Sequence, residues 1–173
     1  MFKKILFATT ASPTCDDAAK VAFDLAKKYN ATLYAFHVFG IPTRGASPFI
    51  YDFRTGEQET DDEDYTAWVK EEMKNTYAKQ LETVDDCVLD CTVGAPHTAI
   101  LRKARREDVD LIVMGAHTRD EDVGGARYRH IVGSTMQKVA RSARCPVLII
   151  SRPCNTCFWY FSNIVFGTDF SKA

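Results

Sequence analysis

The chain lacks any excess of charge of one sign: 22 Lys and Arg stand against 23 Asp and Glu over 173 residues, a formal balance of −1. A nucleic-acid partner calls for a basic excess, so the balance argues against that class of function. Long apolar runs are missing too, and none approaches the roughly 18 residues of a membrane helix. The opening Met1-Phe2-Lys3-Lys4-Ile5-Leu6-Phe7-Ala8 has a basic flank, but its apolar stretch stops at Thr9-Thr10. That is short of the roughly 7–15-residue apolar region of a signal peptide. The expectation is a cytoplasmic protein. No compositional bias marks disorder or a collagen-like repeat, because apolar residues make up 46% and charged residues 26%. Six cysteines (Cys15, Cys87, Cys91, Cys145, Cys154 and Cys157) read as thiols rather than as a disulfide framework in a chain of this kind. Cys87 and Cys91 are four apart, which on a strand puts them on one face.

At a prior of about 150 residues per domain, the length gives one domain with a remainder. Periodicity supplies alternating elements. Lys4 to Thr9 is a short apolar run ending in small polar residues, as in a buried strand. A helix opens at Asp16 or Asp17 and runs through Tyr29, with Ala18, Val21, Ala22, Leu25 and Ala26 on one stripe. Asn30 is its stop, and a second strand covers Thr32 to Phe39. Residues 40–60 read as a loop, since Gly40, Pro42, Gly45, Pro48 and Gly56 break both periods. The acids Glu57, Glu59, Asp61, Asp62, Glu63 and Asp64 then open a helix reaching about Thr83, where they complement the positive end of its dipole; a metal site is the competing reading.

Cys87 to Val93 reads as the third strand. Pro96 follows near the first turn of a helix whose end carries Arg102, Lys103, Arg105 and Arg106 as a solvated basic cluster. Val109 to Met114 is a fourth strand, Ser134 to Ala143 a helix, and Pro146 to Ile150 a fifth strand. A Gly-rich loop over 115–133 separates the fourth strand from that last helix. Five alternations predict an α/β fold with a five-stranded parallel sheet and helices on both faces. Ligands in such sheets sit beyond the carboxyl ends of the strands, where strand order reverses. The segments to inspect are Thr9 to Ser12, Val38 to Gly40, and Gly115 onward.

After the fourth strand comes Met114-Gly115-Ala116-His117-Thr118, and Val132-Gly133-Ser134-Thr135 opens the next helix. Glycine allows close backbone approach to a phosphate, and a helix N-terminus offers free N–H groups. Ser134 also fits a plain N-cap with no ligand. Of the histidines, His37 reads as packed at a strand end and His117 as the better ligand contact. Neither has a nucleophile or acid partner in view, so no catalytic group is assigned. A receiver domain would have acids after the first strand, and a dinucleotide enzyme would have Gly-x-Gly-x-x-Gly there; Thr9-Thr10-Ala11-Ser12 has neither. A Walker P-loop is missing as well.

These segments together resemble the universal stress protein family. The match rests on Phe2-Lys3-Lys4-Ile5-Leu6-Phe7-Ala8-Thr9, Phe36-His37-Val38, Gly115-Ala116-His117, Gly133-Ser134-Thr135, Val139 and Cys145-Pro146-Val147-Leu148-Ile149-Ile150. It covers residues 2–152. The resemblance implies a Rossmann-like sheet in the order 3-2-1-4-5, a homodimer through the fifth strand, and a stress-response role without a general catalytic one. Many members bind ATP in the crevice, with Mg²⁺ entering only with the nucleotide; others do not, and a nucleotide-free structural dimerisation module is the alternative. The implied nucleotide contacts are Thr9, Thr10, Val38, Met114, Gly115, His117, Thr118, Gly133, Ser134 and Thr135. Against the family pattern Gly-x2-Gly-x9-Gly-Ser/Thr, Gly115, Gly133 and Ser134 match, and Val38 falls where backbone groups meet adenine. Thr118 replaces the second glycine, and Thr10 stands where an Asp would hold the ribose hydroxyls. The intervening loop has 14 residues rather than nine. Gly124, Gly125, Arg127 and Arg129 lie in that longer loop, where they could restore backbone freedom or reach a phosphate.

The tail repeats the start. Asn163-Ile164-Val165-Phe166-Gly167-Thr168-Asp169 aligns with Lys4-Ile5-Leu6-Phe7-Ala8-Thr9-Thr10, and the second copy has the Asp that the first lacks. The expected division is a stress-protein domain over residues 1–152, then a linker and the first strand of a second repeat over 153–173, as in a tandem member. Cys154-Asn155-Thr156-Cys157 lies in that linker. A redox pair, half a zinc site and an unremarkable linker all remain open for it, though no second Cys-x-x-Cys exists to complete a zinc site.

Overall fold

The computed structural model describes residues 2–11, 15–39, 49–51, 58–60, 63–116, 134–151 and 165. Its elements in chain order are β1 (Lys4–Thr9), α1 (Asp16–Tyr29), β2 (Thr32–Phe39), β3 (Phe49–Tyr51) and β4 (Gln58–Thr60). Then come α2 (Glu63–Thr76), α3 (Ala78–Leu81), β5 (Cys87–Val93), α4 (Pro96–Glu107), β6 (Leu111–Gly115), α5 (Ser134–Ser142) and β7 (Val147–Ile150). Five strands form a parallel sheet in the order β5-β2-β1-β6-β7, which is the 3-2-1-4-5 order expected from the sequence.

Alternation along each strand sends side chains to two cores. Ile5, Phe7, Leu33, Ala35, Phe39, Leu111 and Val113 pack under α1 and α2. Leu6, Ala8, Phe36, Val38, Ile112 and Met114 pack under α4 and α5. The central strands β1 and β6 are apolar on both faces because both faces are covered. Asn30 and Asp108 end α1 and α4 in the left-handed conformation, at φ of 50° and 53°. Such a residue stops a helix and lets the next N–H reach back to its last turn. Cys15, Cys87, Cys91 and Cys145 are free thiols. Cys87 and Cys91 both pack on the α1 side of the sheet, as their spacing requires, and burial pushes each thiol up to about 11.

Three sequence expectations change. The segment 40–60 is not all loop: Phe49–Tyr51 and Gln58–Thr60 pair as an antiparallel hairpin. The β-forming triplet Phe49-Ile50-Tyr51 sits between breakers that hide it from a periodicity reading. Within the acidic cluster, Glu59 therefore belongs to β4, and only Glu63 and Asp64 open α2; Glu57, Asp61 and Asp62 lie outside the described residues. The helix that follows ends at Thr76 and resumes as the short α3, because Tyr77 turns into the core.

The third change is at the end of α4. Lys103 is not solvated; it is 6% exposed. Its Nζ lies 2.9 Å from Asp90 Oδ2 and 3.1 Å from Glu107 Oε1. The same ammonium sits 5.1 Å from the Tyr34 ring centre and 5.8 Å from that of Phe36. Asp90 lies on the edge strand β5, so the pair ties that edge to α4. Lys70 of α2, 3.7 Å from Asp90 Oδ1, approaches the same carboxylate from the other face. The signal for this was available: Lys103 follows Ile100 by three residues, on the buried stripe of α4.

Asp110 closes the opposite end of the sheet. Its Oδ2 accepts the N–H of Lys3 at 2.6 Å and of Lys4 at 2.9 Å. Those two backbone bonds hold its carboxyl below the ordinary value of 3.8. A depressed carboxylate contributes stability that is fully present above the unfolded value and is lost as pH falls through the folded one. Wild type should therefore lose stability below about pH 4 more steeply than Asp110→Asn. The comparison isolates Asp110, because Glu107, depressed like it, and Asp16 and Asp24, raised by burial, are common to both proteins. Parallel pH profiles from denaturant melts of the two proteins would contradict this.

Candidate functional site

Strand order reverses at β1, which pairs with β2 on one side and β6 on the other. The connection after β1 runs through α1 on one face, and that before β6 runs through α4 on the other. In open α/β sheets the ligand crevice lies beyond the carboxyl ends of the strands at such a reversal, which here are β1 and β6. Register brings the expected residues to that edge. Thr9 is level with His37 of β2, and Ala8 with Met114 of β6, so Gly115 stands one step on beside Thr9. Gly115 itself pairs with Ile150 of β7.

The main chain of Val38 is oriented by the ladder. Thr32 N–H bonds to Lys3 C=O on the β1 side, and Leu33 N–H bonds to Asp86 C=O on the β5 side. Strand alternation then turns the amide and carbonyl of Tyr34, Phe36 and Val38 toward β1. Pairing with β1 ends at Thr9 and His37, one residue short of Val38. The Val38 carbonyl is thus presented past the end of β1, while its side chain is buried with Ala8, Met114 and Met136.

Thr9 belongs to the interior rather than to the open crevice. Its Oγ1 accepts the N–H of Ala11 at 2.8 Å and lies 2.6 Å from Tyr77 Oη. Its carbonyl is 3.0 Å from His37 Nδ1. His37 is fully buried, with its ring edge-on to Phe39, as expected of a packed strand-end histidine. Burial raises the Tyr77 phenol well above its ordinary range, so it stays protonated at any physiological pH. Thr10 Oγ1 lies 3.2 Å from Cys15 Sγ, at the start of α1. Ala11 takes the left-handed conformation at φ 52°, turning the chain sharply out of β1.

Two further expected contacts stand at the start of α5 (Ser134–Ser142). Met136 and Val139 bury the helix against the sheet, while Thr135 stays half-exposed at its N-terminus. Ser134 is the first residue of that helix. Gly133, His117 and Thr118 lie outside the described residues, as do Gly124, Gly125, Arg127 and Arg129. Of the ten expected contacts, then, Thr9, Val38, Met114 and Gly115 are brought to one edge by register, Thr10 directly follows β1, and Ser134 and Thr135 lie at the helix start. The side chains of Thr9 and Met114 face inward. Tyr77 was missed by the sequence reading. Its place after Val69 and Met73, at steps of four, marks a buried stripe, but nothing in the spacing reveals its bond to Thr9.

The sheet, its two-sided helices and the crevice at the reversal point define a Rossmann-like α/β domain. The chain belongs to the universal stress protein family, whose model matches residues 1–151. A universal stress protein of Thermus aquaticus is 33% identical over 153 residues, covering 87% of this chain and 99% of that protein. Another, of Methanocaldococcus jannaschii, is 29% identical over 157 residues, covering 88% and 84%. Among solved structures, the universal stress protein UspA from Lactobacillus plantarum superimposes with a TM-score of 0.64 at 22% identity, over 86% of this chain and 97% of that one. A universal stress protein in complex with cAMP gives a TM-score of 0.60 at 20% identity, over 87% and 97%. One from Archaeoglobus fulgidus in complex with dAMP gives 0.55 at 16%, over 86% and 97%. Among the described residues no helix is long and apolar enough to cross a membrane, and no cluster of three or more metal-ligating side chains occurs.

Proposed function

We propose that this chain is a nucleotide-binding module of the stress response, cytoplasmic and without a catalytic role, whose crevice takes ATP. The observation that carries this reading is the Val38 carbonyl turned toward β1 at the level where β1 stops pairing, with Gly115 of β6 on the other side of the reversal point. Main-chain groups of this kind read an adenine edge, and a helix start with a preceding glycine receives phosphates. The nucleotide complexes of two relatives with the same fold support the class of ligand.

The residues fit adenine and phosphate better than they fit ribose. Val38, Gly115, Ser134 and Thr135 have the right chemistry and sit at the right edge. At the ribose position Thr10 offers a hydroxyl where a carboxylate would accept two bonds. Gly133 matches the family pattern on the phosphate side, Thr118 stands in place of its second glycine, and His117 is a further ligand contact in this reading. Mg²⁺ accompanies the nucleotide, drawing its oxygen ligands from the phosphates.

A structural dimerisation module is the second reading, and β7 favours it as a shared feature. Val147, Leu148, Ile149 and Ile150 form the sheet edge, and all four are half-buried. An apolar edge strand is a template for a second copy of the chain, so a homodimer through β7 belongs to both readings. Residues 153–173 are assigned to a linker and the first strand of a second repeat, with Cys154 and Cys157 in the linker.

The discriminating experiment is nucleotide release from the purified, undialysed protein after denaturation. The proposal expects absorbance at 260 nm with an adenine spectrum from wild type and its loss from Gly133→Val. Equal release by both would contradict the phosphate placement; none from wild type would favour the structural module.

A further inference from the structure

We infer that Tyr77 is a positioning residue for the crevice: its hydroxyl, acting through Thr9, fixes the turn that carries Thr10 and Ala11 out of β1. The inference rests on the nucleotide reading above for its consequence in binding, though the tether itself stands on geometry alone.

The geometry is a relay of three groups from two distant parts of the chain. Tyr77 lies at the break between α2 and α3, and its ring is wedged against Phe7 and Phe23 at centroid distances of 5.8 and 5.7 Å. Its Oη meets Thr9 Oγ1 at 2.6 Å, across 68 positions of sequence. Thr9 Oγ1 in turn accepts the Ala11 N–H at 2.8 Å. A hydroxyl has one proton and two lone pairs, so Thr9 can serve both partners at once. In a continuing parallel strand, the Ala11 N–H would be the next donor to the Val38 carbonyl. The Thr9 hydroxyl draws that N–H back onto its own strand instead. The ladder stops, Ala11 takes its left-handed turn, and the Val38 carbonyl is left facing the crevice. Tyr77 holds the Thr9 hydroxyl in the one rotamer that does this, because both are buried and Thr9 is β-branched.

The site is therefore set in part by a residue of the α2–α3 break that does not belong to the family motif. A bulky phenol there, rather than a contact residue, defines how far β1 pairs with β2.

The test is Tyr77→Phe, which keeps the ring and removes only the hydroxyl. Three readouts are needed: ATP affinity by calorimetry, amide hydrogen exchange by NMR, and unfolding by denaturant. Exchange at Ala11 should accelerate about tenfold or more relative to amides in the centre of β1, and ATP should bind roughly fivefold to tenfold more weakly. Thr9→Val should do the same, and the Tyr77→Phe/Thr9→Val double variant should be no worse than either single one. A purely structural role would speed exchange across the whole sheet and leave affinity untouched. Unchanged relative exchange at Ala11 overturns the tether. Faster exchange with unchanged ATP affinity overturns its part in positioning. If wild type binds no ATP, the nucleotide reading fails by itself, and the Ala11 exchange still decides the tether.

Discussion

Lys103→Ala is expected to lower the free energy of unfolding by about 3 kcal/mol, the low end of what breaking a buried ion pair costs. The reason lies in what the alanine leaves behind. Asp90 and Glu107 are only about a quarter exposed, at 28% and 23%; Asp90 loses its nearest cation, and Glu107 is left with Arg106 Nε at 3.0 Å. Tyr34 and Phe36 lose the ammonium over their rings and the alkyl stem beside them. Two residual partners keep the cost from the upper end of the range: Lys70 at 3.7 Å and Arg106 at 3.9 Å still approach Asp90. Lys103→Met restores the stem without the charge and should recover part of the loss. Urea denaturation of the three proteins measures this directly. A loss below about 1 kcal/mol in the alanine variant would place Lys103 among ordinary surface lysines, whose ion pairs contribute about that or less.

Thr10→Asp should tighten ATP binding by about tenfold. A hydrogen bond to a charged group contributes about 1.5–3 kcal/mol, and about 1.4 kcal/mol is a factor of ten in affinity. The structure gives the substitution a favourable setting. Thr10 is the first residue past β1, and its side chain already reaches Cys15 Sγ at 3.2 Å, so a thiol donor stands ready to orient the new carboxylate. Calorimetric titration of both proteins under the same Mg²⁺ concentration is the measurement. An unchanged or weaker affinity would shift the cause of any weakness to Thr118 and the long loop before Gly133.

The sheet was legible because each of its strands carries its own signal. Lys4 to Thr9 and Thr32 to Phe39 have the observed bounds, and the apolar run before Gly115 reads as a central strand covered on both faces. The crevice edge was legible for the same reason: register follows from the strands, and register aligns Thr9, Val38 and Gly115. What the sequence concealed are contacts between distant segments. Lys103 looked like one cation among four at a helix end, since its burial depends on Asp90 of β5 and on two rings of β2. Tyr77 looked like the next turn of a continuing helix, since its role depends on a hydroxyl 68 residues earlier. The hairpin of Phe49–Tyr51 with Gln58–Thr60 was masked by the breakers around it. For Lys103 and Tyr77 a tertiary partner reassigned a local pattern.

The central claim is that the reversal-point crevice holds an adenine nucleotide. Calorimetric titration of the full chain with ATP and Mg²⁺, after exhaustive removal of any bound nucleotide, tests it most directly. The account predicts saturable binding at one site per chain, competed by AMP-type nucleotides and weakened by Gly133→Val. Absence of binding heat at several temperatures, with the protein folded by circular dichroism, would contradict it.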